Sequence, residues 1–87
     1  MQTQQIEHLI TTGIPGAKAR VEDTAGDGNH FQAIIVAEQF AGLTMIKQHQ
    51  LVYSTLQTYL DDGSLHALAL KTYTPEQWRS TMVQVGS

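Results

Sequence analysis

Hydrophobic and polar positions along this chain change period repeatedly, and each change marks a structural element. Ile6, Leu9, Ile10 and the nearby Ile14 recur at roughly helical spacing, and Gly13, Pro15 and Gly16 then interrupt the pattern. This predicts a short amphipathic helix. From Ala17 to Asp23 the apolar Ala17, Ala19 and Val21 alternate with Lys18, Arg20 and Glu22, the period of a half-exposed strand. Gly26-Asp27-Gly28-Asn29 supplies residues that tolerate positive φ, so the chain is expected to reverse there as a hairpin. The returning segment, His30 to Ala37, is apolar and β-branched on both faces (Phe31, Ala33 and Ile35; Ile34 and Val36), which suits a central strand better than an edge.

The longest periodic segment runs from Thr44 to Leu60, where Met45, His49, Val52, Leu56, Tyr59 and Leu60 recur at steps of three or four. Lys47, Gln48, Gln50 and Ser54 fall largely elsewhere around the helix. The pattern fits one long helix or two short ones with a bend, capped by Thr44 and closed by Asp61-Asp62-Gly63. Two carboxylates oppose the macrodipole at a helix C-terminus, so a solvated loop is expected to begin with them. Leu65 to Tyr73 reads as a third strand, with His66 sharing a face with Leu68 and Leu70. Thr74-Pro75-Glu76 then has the cap, proline and acidic residue of a helix start. Residues 81–87 are expected to fray. The order is α-β-β-α-α-β with a C-terminal helix: a single α+β domain over 1–87, built on a three-stranded sheet.

Composition narrows the chemistry. A chain of 87 residues buries about two-thirds of the surface its unfolded form exposes, enough for one modest core. No apolar run approaches the ~20 residues of a membrane span, and MQTQQIEHLI has no basic segment leading into an unbroken apolar one. A soluble, cytoplasmic protein with no membrane association is expected. Five Lys plus Arg against eight Asp plus Glu leave a net charge of -3, a poor balance for duplex binding, which draws most of its affinity from clustered cations. Lys18, Arg20, Lys47, Lys71 and Arg79 are dispersed in the sequence, although folding can gather them.

There is no cysteine, which removes disulfides, thiol catalysis and any metal site built on this chain's own thiolates. No Ser/His/Asp spacing, buried carboxylate pair or phosphate-binding glycine loop is legible, and no enzymatic activity is expected. Four histidines remain. His8 lies in the first helix, where a surface histidine is ordinary. His49 lies on the apolar stripe, where a buried histidine bonded to backbone is the usual occupant. His66 at a sheet end and His30 beside a turn would ordinarily be satisfied or solvated side chains too. Residue chemistry alone does not single them out as ligands.

Four segments change that weighting. LHALALKTYTPEQW at 65–78, FAG at 40–42 and QHQLVY at 48–53 together resemble the BolA family, and GDGNHF at 26–31 resembles its small bacterial IbaG (YrbA-like) branch. The resemblance runs from about Val21 to Trp78. It implies a class II KH-like fold with a helix-turn-helix-like element inside Thr44 to Leu60. It also implies that His66, in the HAL segment, is the principal iron ligand, and that His30 occupies the loop where the family carries a second ligand, histidine or cysteine. The implied cofactor is a [2Fe-2S] cluster shared with a monothiol glutaredoxin, whose cysteine and bound glutathione supply the thiolates. Each iron needs two donors besides the bridging sulfides, and this chain offers at most one iron's pair, as imidazole. Neutral imidazole in place of thiolate raises the cluster potential and makes ligation sensitive to protonation near the ordinary imidazole pKa of about 6.5.

The competing implication is a nucleic-acid-binding regulator of stress or cell-envelope genes, with Lys47 and Lys71 as contacts. Many relatives have Ser-Arg where this chain has Thr44-Met45, so a cation is missing from the start of the helix that would face DNA. Weak duplex binding is expected on that account. A plain protein-interaction module without metal is the third implication.

Overall fold

The computed structural model describes the backbone of residues 1–86 and side chains through Thr81. In chain order the elements are α1 (Thr3–Gly13), β1 (Lys18–Asp23), β2 (His30–Val36), a 3-10 turn (Glu38–Phe40), α2 (Met45–Thr55), α3 (Gln57–Asp61), β3 (Ala67–Tyr73) and α4 (Pro75–Gly86). This is the expected α+β order and a class II KH-like arrangement. The sheet order is β1-β2-β3, with β1 antiparallel and β3 parallel to the central β2. A hairpin can join the antiparallel pair directly, whereas the parallel pair needs the crossover that α2 and α3 provide.

β2 is central because both its faces can be covered: Phe31, Ala33 and Ile35 are buried against the helices, while Ile34 and Val36 are half-buried on the opposite side. The core gathers Ile6, Ile10 and Ile14 from the first helical segment with Phe40, Val52, Leu56 and Leu65. α1 meets α2 closely at Gly13, where a Cβ would overlap the Thr55 side chain. The edge of β1 is not left bare, since the Glu7 carboxylate accepts the Val21 backbone N–H at 2.8 Å.

The segment from Thr44 to Leu60 is two helices, broken at Leu56, where φ is -118° and ψ 8°. Leu56 itself is fully buried and pins the bend to the core. Thr44 caps α2 by accepting the Lys47 N–H at 3.3 Å. Past Asp61 the chain turns at Gly63, φ +80°, and the Asp62 carboxylate accepts the Ser64 N–H at 2.8 Å.

Two expectations about this helix need correction. His49 is only half-buried, and the polar residue in the core is Gln48, 8% exposed. Gln48 donates to the Phe40 and Leu43 carbonyls at 3.2 and 3.0 Å and accepts from Thr72 Oγ1 at 2.6 Å. Met45 is 70% exposed, so the buried stripe is Gln48, Val52 and Leu56 at steps of four. A glutamine with three partners outcompetes the apolar pattern, because each buried polar atom is satisfied. Strand limits also shift: β1 begins at Lys18, β2 ends at Val36, and β3 begins at Ala67, which leaves His66 outside the pleat. The expectation of fraying over 81–87 concerns residues whose side chains, Thr81 apart, lie outside the described set.

Candidate metal-binding end of the sheet

The hairpin loop is organised by two aspartates. Asp23, at the end of β1, accepts the backbone N–H groups of Gly26 and Gly28 at 2.9 and 2.8 Å, drawing the loop into a tight turn. Gly26 and Gly28 hold φ of +70° and +74°, values a side chain would strain. Asp27 then accepts the N–H groups of Asn29 and His30 at 2.9 and 3.2 Å, and its other oxygen meets His30 Nδ1 at 2.9 Å. The Asn29 backbone N–H, followed by the His30 side chain, holds the Asp27 carboxyl below the ordinary carboxylate range.

Asp27 therefore orients His30. A carboxylate can only accept, so His30 Nδ1 carries the proton and donates it, leaving Nε2 as the lone-pair nitrogen of the neutral ring. A carboxylate behind a histidine is the usual device for fixing tautomer and raising basicity in a metal ligand. His30 is exposed, so Nε2 is open to a partner.

The strand register brings the second histidine alongside. His30 at the start of β2 pairs with Ala67 at the start of parallel β3, and His66 immediately precedes Ala67. With strands ~4.8 Å apart and ~3.3 Å per residue, the two histidine Cα atoms lie on the order of 6 Å apart. His66 is exposed, while Leu65 before it is buried and anchors it, so its ring sits at the rim of the sheet. Among the described residues no group of three or more His, Cys, Asp or Glu side chains is arranged to hold a metal ion. What the sheet end offers is two exposed imidazoles on neighbouring strands, His30 on the side of the sheet that carries Ile34 and Val36 and His66 one residue before the start of β3. Such a pair matches in number and type the two terminal donors one cluster iron needs, and with no cysteine the chain adds no thiolate.

The other candidate residues are not brought together. Lys47 lies on α2, on the helix-covered side of the sheet, whereas Lys71 pairs with Ile34 and points from the opposite side. His8 is exposed on α1, far along the chain from either imidazole. Asp27 is the participant that sequence patterning does not single out, although its signal is there: an aspartate three residues before the histidine, in a loop whose glycines free the backbone.

This is a small α+β domain of KH-like topology carrying a histidine pair at one sheet end. The family model described as BolA-like protein matches residues 14–77, and the chain belongs to the BolA family. It is 36% identical to acid stress protein IbaG of Escherichia coli K12 over 78 residues, covering 90% of this chain and 89% of that protein. It is 41% identical to the DNA-binding transcriptional regulator BolA of the same organism over 54 residues, covering 62% of this chain and 50% of that protein. A solved BolA homologue from Coxiella burnetii superposes with a TM-score of 0.79 at 36% identity, over 91% of this chain and 97% of the other. No helix of the described residues is long and apolar enough to cross a membrane.

Proposed function

We propose that this BolA-family chain is a non-enzymatic adaptor in iron–sulfur cluster assembly or trafficking, sharing a [2Fe-2S] cluster with a monothiol glutaredoxin. The observation that carries the reading is the placement of His30 and His66 at neighbouring positions of one exposed sheet end, with Asp27 holding His30 so that Nε2 faces outward. The two imidazoles supply one iron's terminal pair. The partner's cysteine and glutathione supply the thiolates that this chain lacks. The activity belongs in the cytoplasm, where those thiols stay reduced.

The alternative, a nucleic-acid-binding regulator, has the name of one relative, a DNA-binding transcriptional regulator, in its favour. Against it stands the separation of Lys47 and Lys71, which cannot follow one phosphate backbone from opposite sides of a sheet. The two readings part in one experiment. The protein is mixed with a monothiol glutaredoxin, glutathione, iron and sulfide, and the heterodimer is followed by visible absorption and by EPR of the reduced cluster. A coloured species with nitrogen as well as sulfur ligation is expected, and His66→Ala should abolish it. If folded His66→Ala leaves the spectrum unchanged, the ligand assignment fails. Duplex binding, measured in parallel, should stay near the ~10⁻⁴ to 10⁻⁶ M of non-specific contact at physiological salt. Nanomolar, sequence-selective binding would reverse the order of the readings.

A further inference from the structure

The sheet has two unlike faces. The helices α1 and α2 cover one, and the other carries the residues that alternate away from the core, among them Ile34 and Val36 of β2, half-buried yet outside the core cluster. Across the strands Arg20 and Lys71 stand on either side of Ile34, and Lys18 and Tyr73 on either side of Val36. Among the described residues α4 brings Trp78 and Arg79 to the same side, where they wall a groove of about 1240 Å³ over β1 and β2. Four of the chain's five Lys and Arg residues are thus gathered on one side of a protein whose net charge is -3. Two carboxylates share the groove: Glu22, 3.5 Å from Arg20 Nε, and Glu38 at the rim. Three cations, Lys18, Arg20 and Arg79, line the groove against these two carboxylates, and Lys71 adds a fourth on the same face beyond it.

We infer that this face docks an amphipathic helix of a partner protein, one whose apolar stripe is flanked by acidic residues. The pattern is a ridge of aliphatic side chains along β2 with cations to each side. Three strands ~4.8 Å apart set Arg20 and Lys71 about 10 Å from one another across Ile34. A helix with its side chains is about 10–12 Å wide, so its stripe would rest on Ile34 and Val36 while its flanking carboxylates reach the cations. Single-stranded nucleic acid fits less well. It needs open aromatic faces for its bases, and here the ridge is aliphatic while the Tyr73 and Trp78 rings pack on each other, centroids 5.3 Å apart. A second copy docked face to face would set these cations against their own equivalents.

The test uses a fluorescein-labelled synthetic peptide of about four helical turns, with Leu at the i, i+3, i+4, i+7 positions and Glu beside them, and a scrambled peptide of the same composition. Anisotropy gives the affinity and ¹⁵N NMR the binding site. The wild-type protein is expected to bind the amphipathic peptide with Kd on the order of 10 μM and with amide shifts centred on Ile34, Val36 and Lys71. Arg20→Glu combined with Lys71→Glu should weaken binding about tenfold, as should Ile34→Ser. A Lys-flanked version of the peptide should bind the charge-reversed protein in preference to wild type, which shows that the reversed protein is folded and the effect electrostatic. Equal binding of the scrambled peptide, no binding below about 100 μM, or charge reversal changing Kd by less than about twofold would overturn the proposal. So would tighter binding of oligodeoxythymidine at the same residues, or self-association that Ile34→Ser abolishes. The inference does not rest on cluster binding: His66→Ala should bind the peptide as wild type does, so either idea can fail alone.

Discussion

Asp27 is the residue on which the histidine pair turns. It accepts two backbone N–H groups and the His30 ring, and replacing it with asparagine alters only the last of these roles chemically. An asparagine amide presents N–H to His30 Nδ1, which favours the tautomer protonated on Nε2, the nitrogen a metal would need. Asp27→Asn should therefore weaken the mixed-ligand heterodimer as much as His30→Ala does, and the double variant should be no worse than either single one. Additive losses in cluster absorption would show that Asp27 acts elsewhere. The pH dependence has a definite sign. Because the folded-state Asp27 pKa is lowered, the carboxylate's hold on the loop is complete above the unfolded carboxylate value of about 3.9 and disappears as pH falls through the lower folded value. A carboxyl-carbon NMR titration should place the Asp27 midpoint below that of an unfolded aspartate. A midpoint at or above it would mean that these hydrogen bonds do not form in solution. At this scale the sequence is partly legible. His30 and His66 can be singled out only through family resemblance, since nothing local distinguishes a ligand from a solvated histidine; Asp27 becomes visible once the loop's hydrogen bonds are drawn.

Among the elements, the crossover helices show why patterning succeeds for most residues and fails for a few. The apolar period locates the segment from Thr44 to Leu60 and its cap, because Val52 and Leu56 lie four apart on one face, but it leaves one long helix and two bent ones equally open, and the break at Leu56 is seen only in the structure. The period puts His49 inside and Gln48 outside. Burial of Gln48 depends on the carbonyls of Phe40 and Leu43 and the hydroxyl of Thr72, groups supplied by a loop and a strand that no helical window contains. Gln48→Ala should cost ~1–3 kcal/mol in chemical denaturation, since it leaves the Leu43 carbonyl without the amide donor and the Thr72 hydroxyl without its acceptor, while the Phe40 carbonyl keeps only the Leu43 N–H. His49→Ala should stay within about 1 kcal/mol of wild type. Equal losses at the two positions would restore the stripe as the sequence pattern draws it. The packing of α1 on α2 makes a second expectation. Gly13→Ala would gain helix propensity, yet its Cβ meets Thr55, whose β-branched side chain has little freedom to move and whose hydroxyl bonds the Val52 carbonyl. Net destabilisation of ~1–2 kcal/mol is expected, eased by Thr55→Ser, which removes the overlapping methyl and keeps the hydroxyl.

For the molecule as a whole, topology turns a sequence with little overt chemistry into two distinct surfaces. The parallel pairing of β2 with β3 is what unites residues 30 and 66, and an antiparallel register would have sent them to opposite ends of the sheet. The fold order is readable from periodicity, but this pairing direction is not, because it is fixed by the crossover rather than by either strand. The same topology sorts charge, leaving Lys47 alone on the helical side and the other four cations on the open one. Any phosphate-driven binding should then track the open face. Lys47→Ala should leave weak duplex binding and its salt slope nearly unchanged, whereas Lys18→Ala with Arg20→Ala should lower the slope by roughly 2, about one for each phosphate no longer neutralised. Neither change touches the imidazole pair, so both proteins should still form the coloured heterodimer with a glutaredoxin. If Lys47→Ala instead removes duplex binding while the open-face variant retains it, the helical side is the nucleic-acid surface, and the regulator reading gains the support that charge placement now denies it.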